Sequence, residues 1–220
     1  MSTTVDNYRR IRAEIPLHVQ LLAVSKNHSI EKILELYETG VRDFGENKVQ
    51  ELLEKASKLP SDIRWHLIGH LQRNKVKPLI QSVYLIHSLD SVRLFHEILK
   101  EARRLEIKIS ALIQVQISSE DTKFGMPFSE VIPFLTEVFP LAQGYISIQG
   151  LMGMASNVSD KGIVEAEFKR LNSLFHEIKL IPQFSHISLL SMGMSQDWPL
   201  AVQEGSTCVR VGSDIFGLRG

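Results

Sequence analysis

Leu21-Leu-Ala-Val-Ser-Lys-Asn27 is the stretch on which the fold turns. Four apolar residues in succession, ending in a small hydroxyl and a lysine, read as a buried parallel strand covered by a helix. An open doubly wound sheet is the runner-up architecture, and it would be marked by a GxGxxG turn after this strand. The chain instead continues Ser25-Lys26-Asn27. A helical stripe follows at Ile30, Ile33, Leu34 and Tyr37, with Ser29 placed as N-cap and Gly40 as the stop.

The same alternation runs outward through the sequence. Further strand-like runs lie at Asp43-Phe-Gly45, Arg64-Trp-His-Leu-Ile-Gly69, Val83-Tyr-Leu-Ile-His87, Ala111-Leu-Ile-Gln-Val-Gln-Ile117, Ser147-Ile-Gln-Gly-Leu-Met152, His186-Ile-Ser-Leu-Leu-Ser191 and Cys208-Val-Arg-Val-Gly212. Between them come stripes at Val49, Leu52, Leu53, Ala56, at Val92, Phe95, Leu99, Ala102 after Asp90 as N-cap, and at Phe168, Leu171, Phe175, Ile178. Asn74–Ile80 reads as a short helix and Val5–Ile15 as an extra helix ahead of the first strand. Eight strands alternating with helices predict an α/β protein, a single-domain (β/α)8 TIM barrel over residues 1–220 with an extra N-terminal helix. A length of 220 residues is short for that fold and requires lean loops.

Composition narrows the partners. Lys and Arg total 25 and Asp and Glu total 25, so the formal charge is zero, against the basic excess a nucleic-acid binder needs. The single cysteine, Cys208, excludes an intrachain disulfide and a cysteine-only metal site, and fits a reducing compartment. With no apolar run near the ~20 residues of a membrane span and no signal-peptide core, the expectation is a cytoplasmic protein that engages no membrane. His66 and His70 are four residues apart on a strand, about 13 Å, too far to share a metal; His66 is read as a barrel-interior hydrogen-bonding residue and Cys208 as a buried small hydrophobe. Lys100-Glu-Ala-Arg-Arg104 reads as a solvated helix face, and Gln72, Asn74, Lys75 and Lys77 form a polar patch with no assigned role.

In a barrel of this type reactive groups gather where strands end. Lys26 follows the first strand directly, where partial desolvation lowers an amine's pKa and favours Schiff-base chemistry. Ser191-Met-Gly-Met-Ser195 and Arg210-Val-Gly-Ser213 place hydroxyls and glycines at the seventh and eighth strand ends, where barrels bind phosphate. Arg210 shares a strand face with Gly212 and points toward the mouth. A lysine, a phosphate cup and an arginine together point to pyridoxal 5′-phosphate. Asn47, closing Phe44-Gly-Glu-Asn-Lys48, is either a contact for the cofactor ring or the N-cap of the next helix.

Leu22-Ala-Val-Ser-Lys26, Phe44-Gly-Glu-Asn-Lys48, Trp65-His-Leu-Ile-Gly-His-Leu-Gln72 with Asn74-Lys75, and Gly150-Leu-Met152 occur here in order. They are followed by Leu190-Ser-Met-Gly-Met-Ser195, Gly205, Val209-Arg-Val-Gly212 and Ile215-Phe-Gly217 with Arg219. On these residues, from about Val5 to Arg219, the chain resembles the pyridoxal-phosphate homeostasis family, which is similar to the barrel domain of bacterial alanine racemase. The resemblance implies a fold-type III pyridoxal-phosphate barrel with Lys26 as the Schiff-base residue. It implies that Ser191, Gly212 and Ser213 hold the phosphate, with Arg210 at the ring nitrogen and Asn47 and Met192 lining the cofactor. Position 213 is Ser where many members carry Thr, and either hydroxyl donates to phosphate. A racemase of this fold takes a second acid/base from a tyrosine on a partner's β-domain, and that domain is not expected here. The family therefore implies a monomeric cofactor carrier in vitamin B6 and amino-acid homeostasis, with client apo-enzymes as recipients and no catalytic pair. The competing readings are a pyridoxal-phosphate racemase or decarboxylase, and a cofactor-free aldolase-type barrel.

Overall fold

The computed structural model describes residues 3–118 and 124–217, so Arg219 lies outside the described residues. The strands are β1 Gln20–Val24, β2 Asp43–Glu46, β3 Arg64–Leu67, β4 Leu85–Leu89, β5 Ile109–Val115, β6 Ile146–Gly153, β7 Leu189–Met194 and β8 Cys208–Val211. They pair in parallel in sequence order and close on themselves, β8 returning to β1 with Leu22 opposite Arg210 and Ala23 opposite Val211. The helices are α1 Thr4–Glu14, α2 Ile30–Glu38, α3 Val49–Ala56, α4 Val76–Leu79, α5 Val92–Leu105, α6 Phe128–Ala142, α7 Lys161–Lys179, α8 Trp198–Gln203 and α9 Ser213–Phe216. The expected (β/α)8 barrel with an extra N-terminal helix is thus the observed one.

Local chemistry explains the element ends. Thr3 and Asp6 form a capping box that starts α1. The Arg12 guanidinium then donates to the carbonyls of Ile15, Pro16 and Val19, fixing the turn into β1. Ser91, not Asp90, caps α5: its hydroxyl accepts from Leu94 N–H at 3.3 Å, while Asp90 faces His70 at 3.2 Å. Lys48, not Asn47, occupies the N-cap position of α3. The face Lys100–Arg104 is only partly solvated, because Glu101 is 4% exposed and pairs with Arg104 at 2.8 Å. α6 carries Pro133 and Pro140 inside the helix, residues that break a sequence stripe more than they broke this packed helix.

The apolar core has two levels. The main shell lies between strands and helices, where Phe44, Ile33, Leu36, Leu52, Phe95, Phe168 and Met192 are buried. Inside the barrel the apolar residues divide into two cells, Leu22, Val24, Ile68 and Cys208 in one and Leu85, Leu112 and Met152 in the other, with Leu189 packed against both. Buried polar residues, His66, His87, Ser191 and Arg210 among them, accompany these cells and shape the site.

At the end of β7 the chain must turn tightly into α8. Gly193 has φ +94°, and a Cβ there would stand 2.5 Å from the Ala201 side chain. Gly193→Ala combines backbone strain with overpacking, and we expect it to lower unfolding free energy by roughly 2 kcal/mol or more in urea titration.

Candidate cofactor site

The turn bearing Lys26 is held from both sides. Below it, Lys55 Nζ on α3 donates to the Ser25 carbonyl at 2.8 Å and to Glu46 Oε1 at 2.8 Å, while Ser25 Oγ donates to the same carboxylate oxygen at 2.6 Å. Above it, Asn27 adopts a left-handed backbone (φ 62°) and its N–H donates to Glu51 Oε1 at 2.5 Å. Glu51 also accepts from Lys55 at 2.7 Å, so one ammonium ties the residues on either side of Lys26 together. Glu46 is fully buried, and burial raises its carboxyl above the usual range against the pull of Lys55 and Ser25. Lys26 itself is half-buried, two residues beyond β1.

A second polar system fills the barrel interior. At the start of β2, Asp43 takes a bidentate pair from Arg64, at 2.8 and 2.6 Å, and lies 3.1 Å from His66 Nε2. His66 Nδ1 is 3.0 Å from His87 Nε2, and His87 Nδ1 is 3.2 Å from Ser191 Oγ. The Arg210 guanidinium donates to that Oγ at 2.7 Å, to the Ser191 carbonyl at 2.8 Å and to the Gly153 carbonyl at 3.0 Å. Burial lowers the pKa of His66, His87 and Arg210, whereas Asp43 falls far below the usual carboxylate range because Arg64 and His66 outweigh its own burial. Cys208, beside Arg210, is pushed up to about 11 by burial, as befits a small buried hydrophobe.

These strands converge on the rim near Lys26. Gly212 follows β8 and packs on the end of β1: a Cβ there would stand 3.1 Å from the Val24 carbonyl oxygen. Ser195, past β7, accepts from Gly212 N–H at 3.3 Å, joining the two loops, and Ser213 follows, solvent-exposed, as the first residue of α9. Phe216 closes the group against His28 in a stack at 4.9 Å. The structure therefore gathers Lys26, Gly212 and Ser213 at one rim, with Arg210 beneath them. Asn47 is half-buried just past β2. Two expected residues are placed differently. Ser191 lies within β7, its hydroxyl committed to Arg210 and His87, because its inward position is mid-strand. Met192, the next residue, faces the opposite way and is fully buried in the shell between strands and helices. His66 is the interior hydrogen-bonding residue the sequence indicated.

The eight-stranded parallel barrel, with a lysine just past β1 and a buried arginine on β8, falls in the class of alanine-racemase-type barrels on the match of its family model. The model of the alanine racemase N-terminal domain matches residues 2–220. A pyridoxal phosphate homeostasis protein of Vibrio alginolyticus is 37% identical over 235 residues, covering 100% of this chain and 99% of the relative. PipY of Synechococcus elongatus without pyridoxal phosphate superposes with a TM-score of 0.92 at 36% identity, over 98% of this chain and 100% of PipY. PipY with pyridoxal phosphate bound superposes at 0.86, with the same identity and coverage. The chain belongs to the pyridoxal phosphate homeostasis protein family within that barrel class. Among the described residues no helix is long and apolar enough to cross a membrane.

Two predictions rest on this geometry. Lys55→Met leaves the buried Glu46 carboxylate without its cation, and we expect a loss of roughly 3 kcal/mol in chemical denaturation, with Glu46→Gln milder. The second concerns pH. His66 and His87 have folded pKa values below 6.5, so the unfolded chain binds more protons and stability falls as pH drops through and below about 6.5. Glu46, raised by burial, works in the opposite sense, which makes a variant comparison necessary. Removing the imidazole in His87→Asn should flatten the stability profile between about pH 5 and 6.5 by up to about 1.4 kcal/mol per pH unit. Urea titrations of both proteins across that range check it.

Proposed function

We propose that this chain binds pyridoxal 5′-phosphate through Lys26 and holds it as a carrier in cofactor homeostasis, without turning over a substrate. The observation that supports it most directly is the seating of Gly212 on Val24, which sets the β8 exit beside the turn that presents Lys26. When bound, pyridoxal phosphate supplies an aldehyde that condenses with a lysine amine, releasing water, and a ring that draws electrons toward its nitrogen.

The residues fit that group. Lys26 offers the amine from a turn clamped by Lys55 and Glu51. Gly212 leaves room for close approach, and the exposed Ser213 hydroxyl, which donates to Asp214 Oδ1 at 3.3 Å, would turn from that carboxylate to donate to a phosphate. Arg210 uses three of its five N–H groups on Ser191 and Gly153 among the described residues, leaving donors for the ring nitrogen. A cation there keeps that nitrogen unprotonated and weakens the ring as an electron sink, which suits holding over catalysis. Ser191 serves the site through Arg210, and Asn47 borders it past β2.

The tyrosines support the absence of a second acid/base. Tyr8 lies in α1; Tyr37 donates to Asp62 at 2.8 Å, ahead of β3; Tyr84 and Tyr145 precede β4 and β6. The last three lie at the end of the barrel opposite Lys26. The relatives bear the name of homeostasis proteins, and PipY has been seen with pyridoxal phosphate bound. Handing the cofactor to client apo-enzymes is the role consistent with a site that binds and does not react.

The test is an absorption spectrum of purified protein loaded with pyridoxal phosphate, before and after borohydride, with the modified residue located by peptide mass. We expect a visible band, trapped on Lys26 and absent in Lys26→Ala. Ser213→Ala should release the cofactor several-fold faster, by about 1 kcal/mol of lost hydrogen bonding. Failure to bind, or sustained Lys26-dependent turnover of amino acids, would overturn the proposal.

A further inference from the structure

Arg210 is a buried cation whose hydrogen bonds reach no carboxylate directly among the described residues; Asp197 acts on it only through space. It is 4% exposed, and its bonds go to a hydroxyl and two carbonyls. A guanidinium in such a place carries a large desolvation cost that neutral acceptors offset only in part. The nearest carboxylate reached through hydrogen bonds is Asp43, four links away at the opposite end of the barrel interior. The links are Arg210–Ser191, Ser191–His87, His87–His66 and His66–Asp43, each 2.7–3.2 Å.

With both imidazoles neutral, the two ends fix the direction of every bond between them. A carboxylate only accepts, so His66 Nε2 carries the proton that faces Asp43. A neutral His66 then accepts at Nδ1, so His87 must donate from Nε2. A neutral His87 accepts at Nδ1, and the Ser191 hydroxyl, which the Cys208 thiol also faces, supplies that proton, leaving the thiol to donate to the Ser191 oxygen. The Ser191 oxygen is left to accept from Arg210, which only donates. Asp43, 3.1 Å from His66, favours charge on that ring, but burial outweighs it on both rings, and the cations Arg64 and Arg210 at either end of the pair oppose protonation as well; Tyr84 packs against His66 at 5.5 Å. Each donation polarises the next, so the negative charge on Asp43 makes the Ser191 oxygen a better acceptor for the guanidinium.

We propose that Asp43, His66, His87 and Ser191 form a one-way donor chain that holds the Arg210 guanidinium toward the cofactor ring, making Asp43, His66 and His87 positioning residues for a ligand they do not touch. The inference rests on the reading of Arg210 as the ring-nitrogen partner. It assigns a role to the polar half of the barrel interior, where an apolar filling would pack more cheaply.

Two measurements test it. Two-bond 15N–1H correlation on histidine-labelled protein at pH 7 should show His66 and His87 as neutral Nε2–H tautomers. An Nδ1–H tautomer or an imidazolium at either position breaks the one-way chain and overturns the proposal. The second measurement is the rate at which bound pyridoxal phosphate is lost on dilution, for the wild type, His66→Leu, Arg210→Gln and the double variant, with thermal midpoints of the apo proteins alongside. His66→Leu should speed loss roughly tenfold, and Arg210→Gln should abolish the additional effect of His66→Leu. Wild-type loss rates in His66→Leu, or a tenfold effect that persists without Arg210, would show that His66 acts only on the fold. If His66→Leu does not fold, Asp43→Asn, which keeps the shape and removes the charge, takes its place with the same expectations. A wild type that takes up no pyridoxal phosphate defeats the functional reading, while the tautomers still decide the chain's direction.

Discussion

The pairing of β8 with β1 is the constraint on which the rest of the molecule depends. Residues nearly the whole chain apart, Leu22 and Arg210, become neighbours in one sheet. Such a contact has a high closure entropy and must be supported by what surrounds it. Support comes from outside the barrel as well as within. Asn7 of α1 donates to the Ile215 carbonyl of α9 at 3.1 Å, and Lys32 of α2 donates to the Phe216 carbonyl at 2.9 Å. The seam is thus bridged by the elements that precede and follow the two strands, and the rim where Gly212 packs on Val24, two residues before Lys26, exists only because it is closed.

The barrel interior shows how a small fold reconciles packing with chemistry. A lumen filled with Leu and Val alone would satisfy density and leave no donor beneath the rim. Here two apolar cells carry the packing, and the line of Asp43, His66, His87, Ser191 and Arg210 occupies the space between them with its hydrogen bonds matched end to end. The clamp at Lys26 follows the same logic outside the barrel. Lys55 and Glu46 are individually costly to bury, and together they add side-chain anchors to a turn that its own backbone hydrogen bonds also hold.

How much of this could be read from the chain follows from the range of each signal. Strand runs and helical stripes are local, so the order of elements and the closed barrel were legible, as were Lys26 and the Arg210-Val-Gly-Ser213 exit. Helix α6 is not among the stripes read from the sequence; it holds Pro133 and Pro140, which tertiary packing tolerates. Ser191 was expected at a strand end, since the hydroxyl and glycine that follow look like a loop; the strand in fact runs on to Met194 and turns Ser191 inward. The histidine pair and the Glu46–Lys55 clamp were invisible for a different reason. Partners 21 and 9 residues apart meet only through strand register and helix docking, which no local period encodes.

Cys208 carries one last consequence of the seam. It is the chain's single cysteine, fully buried in the inner apolar cell at the first residue of β8, with its thiol held in the unreactive protonated form. While β8 stays paired with β1, reagents cannot reach the sulfur and little thiolate exists to attack them. The rate at which that thiol reacts in the native protein is therefore a clock for spontaneous opening of the barrel, set by the stability of the closure and not by the chemistry of the sulfur. The molecule carries a reporter of its own integrity at the joint that makes it a barrel.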